Sequence, residues 1–128
     1  MRVLLDTHTF IWLDNDPGKL SETVTALCSD KDNDLFLSIA SVWEMQIKLK
    51  LAKLTLPLAL DKTIAEQQKM NGLQLLPIEL RHVLALDSLP DHHKDPFDRL
   101  LIAQAKAEGL TLITNDPVIA KYPVTVTW

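Results

Sequence analysis

The 128-residue sequence carries a single cysteine, three glycines and only 5% aromatic residues. Because Cys28 is alone, no intrachain disulfide forms, and a reducing cytoplasm is the expected setting. No segment approaches the ~20 consecutive apolar residues that span a bilayer, so no membrane partner is expected. The stretch from Met1 to Leu13 is interrupted by Asp6 and His8 and lacks a small-residue cleavage site, so it does not read as a signal peptide. Positive charge is also scarce: 13 Lys and Arg face 17 Asp and Glu, a net charge of −4. A plain nucleic-acid binder is usually basic, and this balance counts against one. Several familiar motifs are missing too. There is no G-x-S-x-G elbow, no C-x-x-C or H-E-x-x-H zinc spacing, no Walker A loop and no G-x-G-x-x-G fingerprint. Their absence leaves a bound nucleotide cofactor unsupported.

What is present suits one globular domain spanning residues 1–128, with 47% hydrophobic residues to fill a core. Strand and helix signals alternate, which predicts an α/β fold with a parallel sheet between helical layers. The strands are expected at Arg2–Asp6, Leu35–Ser38, Leu73–Leu76 and Leu110–Thr114, with an edge strand at Val124–Thr127. Helices are expected over Thr7–Leu13, from a Ser21 cap to Ser29, over Ser41–Lys50, from an Asp61 cap to Gly72, and over Glu79–Leu86. A strong helix should start at an Asp95 cap with Pro96 in its first position and stop at Gly109. A short helical turn should follow Pro117.

Four acids occupy places where such elements begin or end: Asp6, Glu44, Asp98 and Asp116. In an open parallel sheet the carboxyl ends of the strands face one crevice. Acids gathered there repel one another unless a hard cation sits among them. The pattern therefore points to Mg²⁺ or Mn²⁺ and to phosphoryl chemistry, in which the ion activates water and stabilises charge on phosphorus. One such ion would bring the formal charge to −2 and two would bring it to zero, which weakens the objection to a nucleic-acid substrate. Each acid also has a plainer reading. Asp6 can cap a helix, Ser41-x-x-Glu44 fits a capping box, and Asp116 before Pro117 fits a turn. Asp98 lies where a helix N-terminus would stabilise its charge.

Other residues read as background. Lys48, Lys50 and Lys53, and His92, His93, Lys94 and Arg99, form local positive clusters that are most simply solvated surface. His82, His92 and His93 show no metal-ligand spacing, and His8, near a strand end, reads as a packing or surface residue rather than a substrate contact. Trp12, Trp43 and Trp128 read as core or interface groups.

Taken together, Leu4-Leu5-Asp6-Thr7-His8, Ser41-Val42-Trp43-Glu44, Asp95-Pro96-Phe97-Asp98-Arg99-Leu100-Leu101-Ile102-Ala103-Gln104-Ala105 and Thr114-Asn115-Asp116 resemble the PIN domain. The resemblance is greatest to the VapC-type toxins of bacterial toxin–antitoxin pairs and spans nearly the whole chain. It implies a three-layer αβα fold and a metal-dependent endoribonuclease that cleaves RNA. It implies that Asp6, Glu44, Asp98 and Asp116 hold the metal and carry catalysis, with Asp95, Arg99 and Thr114 bracing them. A small antitoxin protein and a homodimer are the implied partners. Two other classes compete. One is a phosphoacceptor receiver domain, which would need an acid pair after strand one and a lysine near the last strand; here Asp6-Thr7 and Thr114-Asn115 stand instead. The other is a non-catalytic binding subunit that keeps the fold, against which the intact quartet argues.

Overall fold

The computed structural model describes residues Met1 to Trp128. Five strands run β1 (Arg2–Leu5), β2 (Asp34–Ser38), β3 (Gln74–Leu76), β4 (Thr111–Ile113) and β5 (Val126–Thr127). Six helices run α1 (Thr7–Asn15), α2 (Glu22–Ser29), α3 (Ile39–Lys50), α4 (Leu60–Asn71), α5 (Leu80–Leu84) and α6 (Pro96–Glu108). Short 3₁₀ turns occur at Pro17–Lys19, Ala85–Ser88 and Ile119–Lys121. All strand pairs are parallel, in the order β3-β2-β1-β4-β5.

Side-chain alternation splits the core in two. Val3 and Leu5 of β1 join Leu35, Leu37 and Ile113 on one face, under Phe10 of α1, Val24 of α2, Met45 of α3 and Ile64 of α4. Leu4 and Leu112 point the other way, under Leu101, Ile102 and Ala105 of α6. Helices thus cover both faces, and β1 is an unbroken apolar run because each of its faces is packed. Val3, Leu4 and Leu5 are fully buried, and each contributes about 1.5–3 kcal/mol relative to exposure.

The expected αβα layering is therefore observed. The sheet order also sets aside the receiver reading, because that module is wound 2-1-3-4-5. The chain leaves β1 towards β2 on one side and later returns to β4 on the other. The crevice at this reversal lies beyond the carboxyl ends of β1 and β4.

Local signals at several helix ends act as expected. The Ser21 hydroxyl accepts from Val24 N at 3.0 Å. Gly72 and Gly109 take left-handed conformations, each at φ 65°, and close α4 and α6. Other boundaries differ. Helix α3 starts at Ile39, and Ser38 caps it by accepting from Ala40 N at 3.0 Å. Ser41 and Glu44 therefore lie inside the helix and form no capping box. Asp61 is not a cap either; Ala59 precedes α4, and Asp61 falls in its first turn. The helix expected over Glu79–Leu86 is α5 followed by a 3₁₀ turn, and the turn after Pro117 is the 3₁₀ segment at Ile119–Lys121.

Helix α3 departs in part from the usual patterning: Met45 lies in the core and Val42 packs against it, but other apolar residues face outward. Trp43 and Ile47, with Leu51 just past the helix end, face outward, at 60%, 36% and 57% exposure. An amphipathic surface helix normally buries its apolar stripe; here the polar Ser41 and Glu44 share the buried side with Ala40 and Met45.

Candidate metal centre

The acids reach the crevice on different elements. Asp6 directly follows β1 and caps α1, with Oδ1 accepting from Thr9 N at 2.8 Å. Its backbone N donates to Ile113 O at 3.1 Å, and the Thr9 hydroxyl donates to the same carbonyl, so the end of β1 is tied to the end of β4. Asp6 and Glu44 are each only 5% exposed. Burying a carboxylate requires partners, and Glu44 has two. The Thr7 hydroxyl donates to Oε1 at 2.7 Å, and Lys48 Nζ lies 2.9 Å from Oε2. The buried Ser41 hydroxyl lies 2.9 Å from that of Thr7, completing a chain between α1 and α3.

Asp95 caps α6 as expected, Oδ1 accepting from Phe97 N and Asp98 N. Asp98, one turn in, does not gain from the helix end as its position implied. Its carboxyl is pushed up from 3.8 to about 7, first by burial and next by the charge of Asp95. Glu44 and Asp6 add to the rise, and His93 opposes it. The rise corresponds to ~4 kcal/mol, whereas a helix N-terminus offers typically 0.3–1 kcal/mol, so burial and like charge win. Asp116 sits in the turn after β4. Its Oδ1 accepts from Val118 N at 2.9 Å, and its backbone N donates to the Thr114 hydroxyl at 3.1 Å.

His93, first read as solvated surface, proves central. Its Nε2 lies 3.0 Å from Asp98 Oδ2 and 3.0 Å from Asp116 Oδ2. Its Nδ1 accepts from Asp95 N at 3.1 Å, which places the proton of the neutral ring on Nε2. The ligand atoms of His93, Asp98 and Asp116 all fall within 4.8 Å of one another. Arg99 makes no ion pair with the four site acids; its nearest carboxylate is that of exposed Asp91, at 3.7 Å. It donates to Pro90 O, Leu86 O and the Tyr122 hydroxyl, and that hydroxyl also accepts from His93 N at 2.7 Å. Arg99 therefore fixes the loop that carries His93.

The structure thus joins Asp98 to Asp116 through His93, and places Asp6, Glu44 and Asp95 close enough to raise the Asp98 carboxyl. Sequence reasoning missed Thr7, Ser41 and the role of His93. The available signals were a hydroxyl directly after Asp6 and a histidine two residues before Asp95. A second His–carboxylate grouping, Glu79, His82 and Glu108, is already balanced by Arg81, which contacts both acids. It clamps α5 to the end of α6. A surface hollow lined by Cys28, Asp34 and Gly72 among others lies at the amino ends of β2 and β3 and includes none of the four acids.

Trp43 is exposed and meets the Phe97 ring edge-on at 5.3 Å, so it is not a core group. Trp12 and Trp128 pack edge-on against each other at 5.8 Å. No helix is long and apolar enough to cross a membrane.

A hard divalent cation fits the donor set: carboxylate oxygens of Asp98 and Asp116 from separate elements within 4.8 Å of each other, with the Asp98 carboxyl raised first by burial and next by its acidic neighbours. When bound, such an ion supplies an activated water nucleophile and positive charge for the transition state of phosphoryl transfer.

Solved structures share this architecture. A chain of VapBC2 from Rickettsia felis, bound to a DNA fragment from their promoter, superposes with a TM-score of 0.75 at 18% identity, covering 99% of this chain and 98% of that one. DNA-bound VapBC from Salmonella typhimurium gives 0.68 at 16% identity, covering 99% and 97%. FitAcB from Neisseria gonorrhoeae gives 0.65 at 21% identity, covering 100% and 97%. A sequence search among curated proteins returns no match. The sequence model of the PIN domain matches residues 3–124, nearly the whole chain, and the protein belongs to the PIN-domain family.

Proposed function

We propose that the protein is a Mg²⁺- or Mn²⁺-dependent endoribonuclease, the toxin of a toxin–antitoxin pair acting in a reducing cytoplasm. The observation that carries the reading is the meeting of Asp98 from α6 and Asp116 from the turn after β4 at His93, in a PIN-fold crevice where Asp6 and Glu44 lie near enough to act on the Asp98 carboxyl. Asp6, Glu44, Asp98 and Asp116 would hold the ion. Glu44 is oriented by Thr7, Asp6 by the α1 cap, and Asp116 by the turn that uses the Thr114 hydroxyl. This fixed setting orients water for in-line attack on a phosphodiester. Substrate recognition would rest on unpaired RNA.

The structural neighbours carry names of two-component complexes. A small antitoxin is therefore the proposed protein partner, and a homodimer the proposed assembly. Exposed Trp43 and Ile47 on α3, Leu51 just past its end, and Leu80, Val83 and Leu84 on α5 offer apolar contact area for such partners.

The test is cleavage of total RNA with Mn²⁺, with EDTA, and by Asp6→Asn and Asp98→Asn. Cleavage is expected with Mn²⁺ only, and neither folded variant should cut. Turnover by folded Asp98→Asn would remove Asp98 from the assignment. The Lys48–Glu44 pair favours a second reading, a non-catalytic PIN-fold subunit whose acids are neutralised internally. Failure of the folded protein to bind Mn²⁺ at millimolar concentration would favour it.

A further inference from the structure

His93 is held from three sides. Its Nδ1 accepts from Asp95 N, its backbone N donates to the Tyr122 hydroxyl, and Arg99 braces that hydroxyl. The ring is thereby aimed so that Nε2–H donates to Asp116 Oδ2 at 3.0 Å, while Asp98 Oδ2 lies 3.0 Å from the same nitrogen. A ring nitrogen that bears a proton cannot also coordinate an ion. Rotating the proton to Nδ1 would free Nε2 but set two donors, Nδ1–H and Asp95 N–H, against each other at 3.1 Å. The anchored ring is thus built to donate to the carboxylates and is ill suited to act as a ligand beside them.

We propose that His93 and the divalent ion compete for the same oxygens of Asp98 and Asp116, and that the ion binds by displacing the Nε2–H donor. This rests on the proposed metal centre. His93 would keep the two carboxylates from repelling each other and, by the same contacts, would set the ion concentration at which the site loads. Lys48 occupies Glu44 Oε2 in a parallel way at 2.9 Å. Ion entry is then an exchange of internal donors for the cation.

The test is Mn²⁺ binding to the full chain, followed by the loss of the free-ion electron paramagnetic resonance signal. The forms compared are wild type, His93→Ala, His93→Gln and Lys94→Ala. Removing a charge-assisted donor should tighten binding about tenfold in His93→Ala, an effect of ~1.4 kcal/mol. His93→Gln, which retains an N–H donor, should fall between it and wild type. Lys94→Ala, which removes a neighbouring charge from the exposed loop, should change affinity less than about twofold. In wild type, the imidazole Nε2–H resonance should be visible in chelator and should shift or vanish on adding Mg²⁺. Weaker binding by His93→Ala would identify the ring as a ligand and overturn the proposal. Equal binding, or a ring resonance unmoved by saturating Mg²⁺, would overturn it as well. If none of the four forms binds Mn²⁺, the metal reading itself fails and the competition with it.

Discussion

Replacing Asp98 by Asn should stabilise the protein in chelator, and more so as pH rises. The folded carboxyl titrates near 7 against 3.8 for an unperturbed group. Between those values the folded state binds the extra proton, so stability falls as pH increases through that window. Below it both states are protonated and the site contributes nothing. Above about 7 the full penalty applies, with a ceiling of ~4 kcal/mol. The Asp98 side chain is 21% exposed, and water and counterions in the crevice reduce the figure to about 1–3 kcal/mol. Asn has no such proton to lose. Urea unfolding in EDTA should therefore show Asp98→Asn gaining on wild type by about 1–2 kcal/mol between pH 5 and pH 8, roughly half to one molar in midpoint. Millimolar Mn²⁺ should reverse the order, because ligand binding stabilises only the form that holds it, by ~2.7 kcal/mol at a hundredfold excess over Kd. A gap independent of pH would show that neither burial nor the neighbouring acids raise the Asp98 carboxyl. Equal Mn²⁺ stabilisation of both forms would remove it from the ion's ligands.

Thr7→Val should lower kcat/KM about tenfold with KM little changed, because Glu44 loses its 2.7 Å hydroxyl donor; steady-state kinetics at wild-type level would refute this role. Gly109→Ala should cost about 1 kcal/mol in chemical denaturation. Nothing lies within 4 Å of the added Cβ, so an unchanged midpoint would contradict the φ of 65° at the α6 stop. Burial pushes the Cys28 thiol up to about 11, so it should resist a disulfide reagent at pH 8 and react only as the protein unfolds. Fast stoichiometric labelling of the native protein would refute its burial.

The parts legible in the sequence were those governed by local chemistry. Asp95-Pro96 starts α6, Gly72 and Gly109 end helices in left-handed conformations, and Val3-Leu4-Leu5 forms a strand packed on both faces. Helix α3 was less legible because tertiary contacts decide it. Ser38, at the end of β2, takes the cap, and Ser41 and Glu44 turn inward to meet Thr7 from α1. Trp43, Ile47 and Leu51 keep a helical spacing, but spacing alone does not say which side is buried. His93 was illegible for a related reason. Its partners lie 5 and 23 positions away, on a helix start and in a turn after β4, and only the fold brings them together. Asp98 shows the limit of helix-end reasoning, since burial and neighbouring acids exceed the favourable helix field.

The most direct test of the central claim is a crystal soaked in Mn²⁺ and measured at the manganese edge. An anomalous peak is expected in the crevice beyond β1 and β4, within about 2.0–2.3 Å of carboxylate oxygens from at least three of Asp6, Glu44, Asp98 and Asp116. A peak elsewhere, or none at saturating Mn²⁺, would contradict the claim.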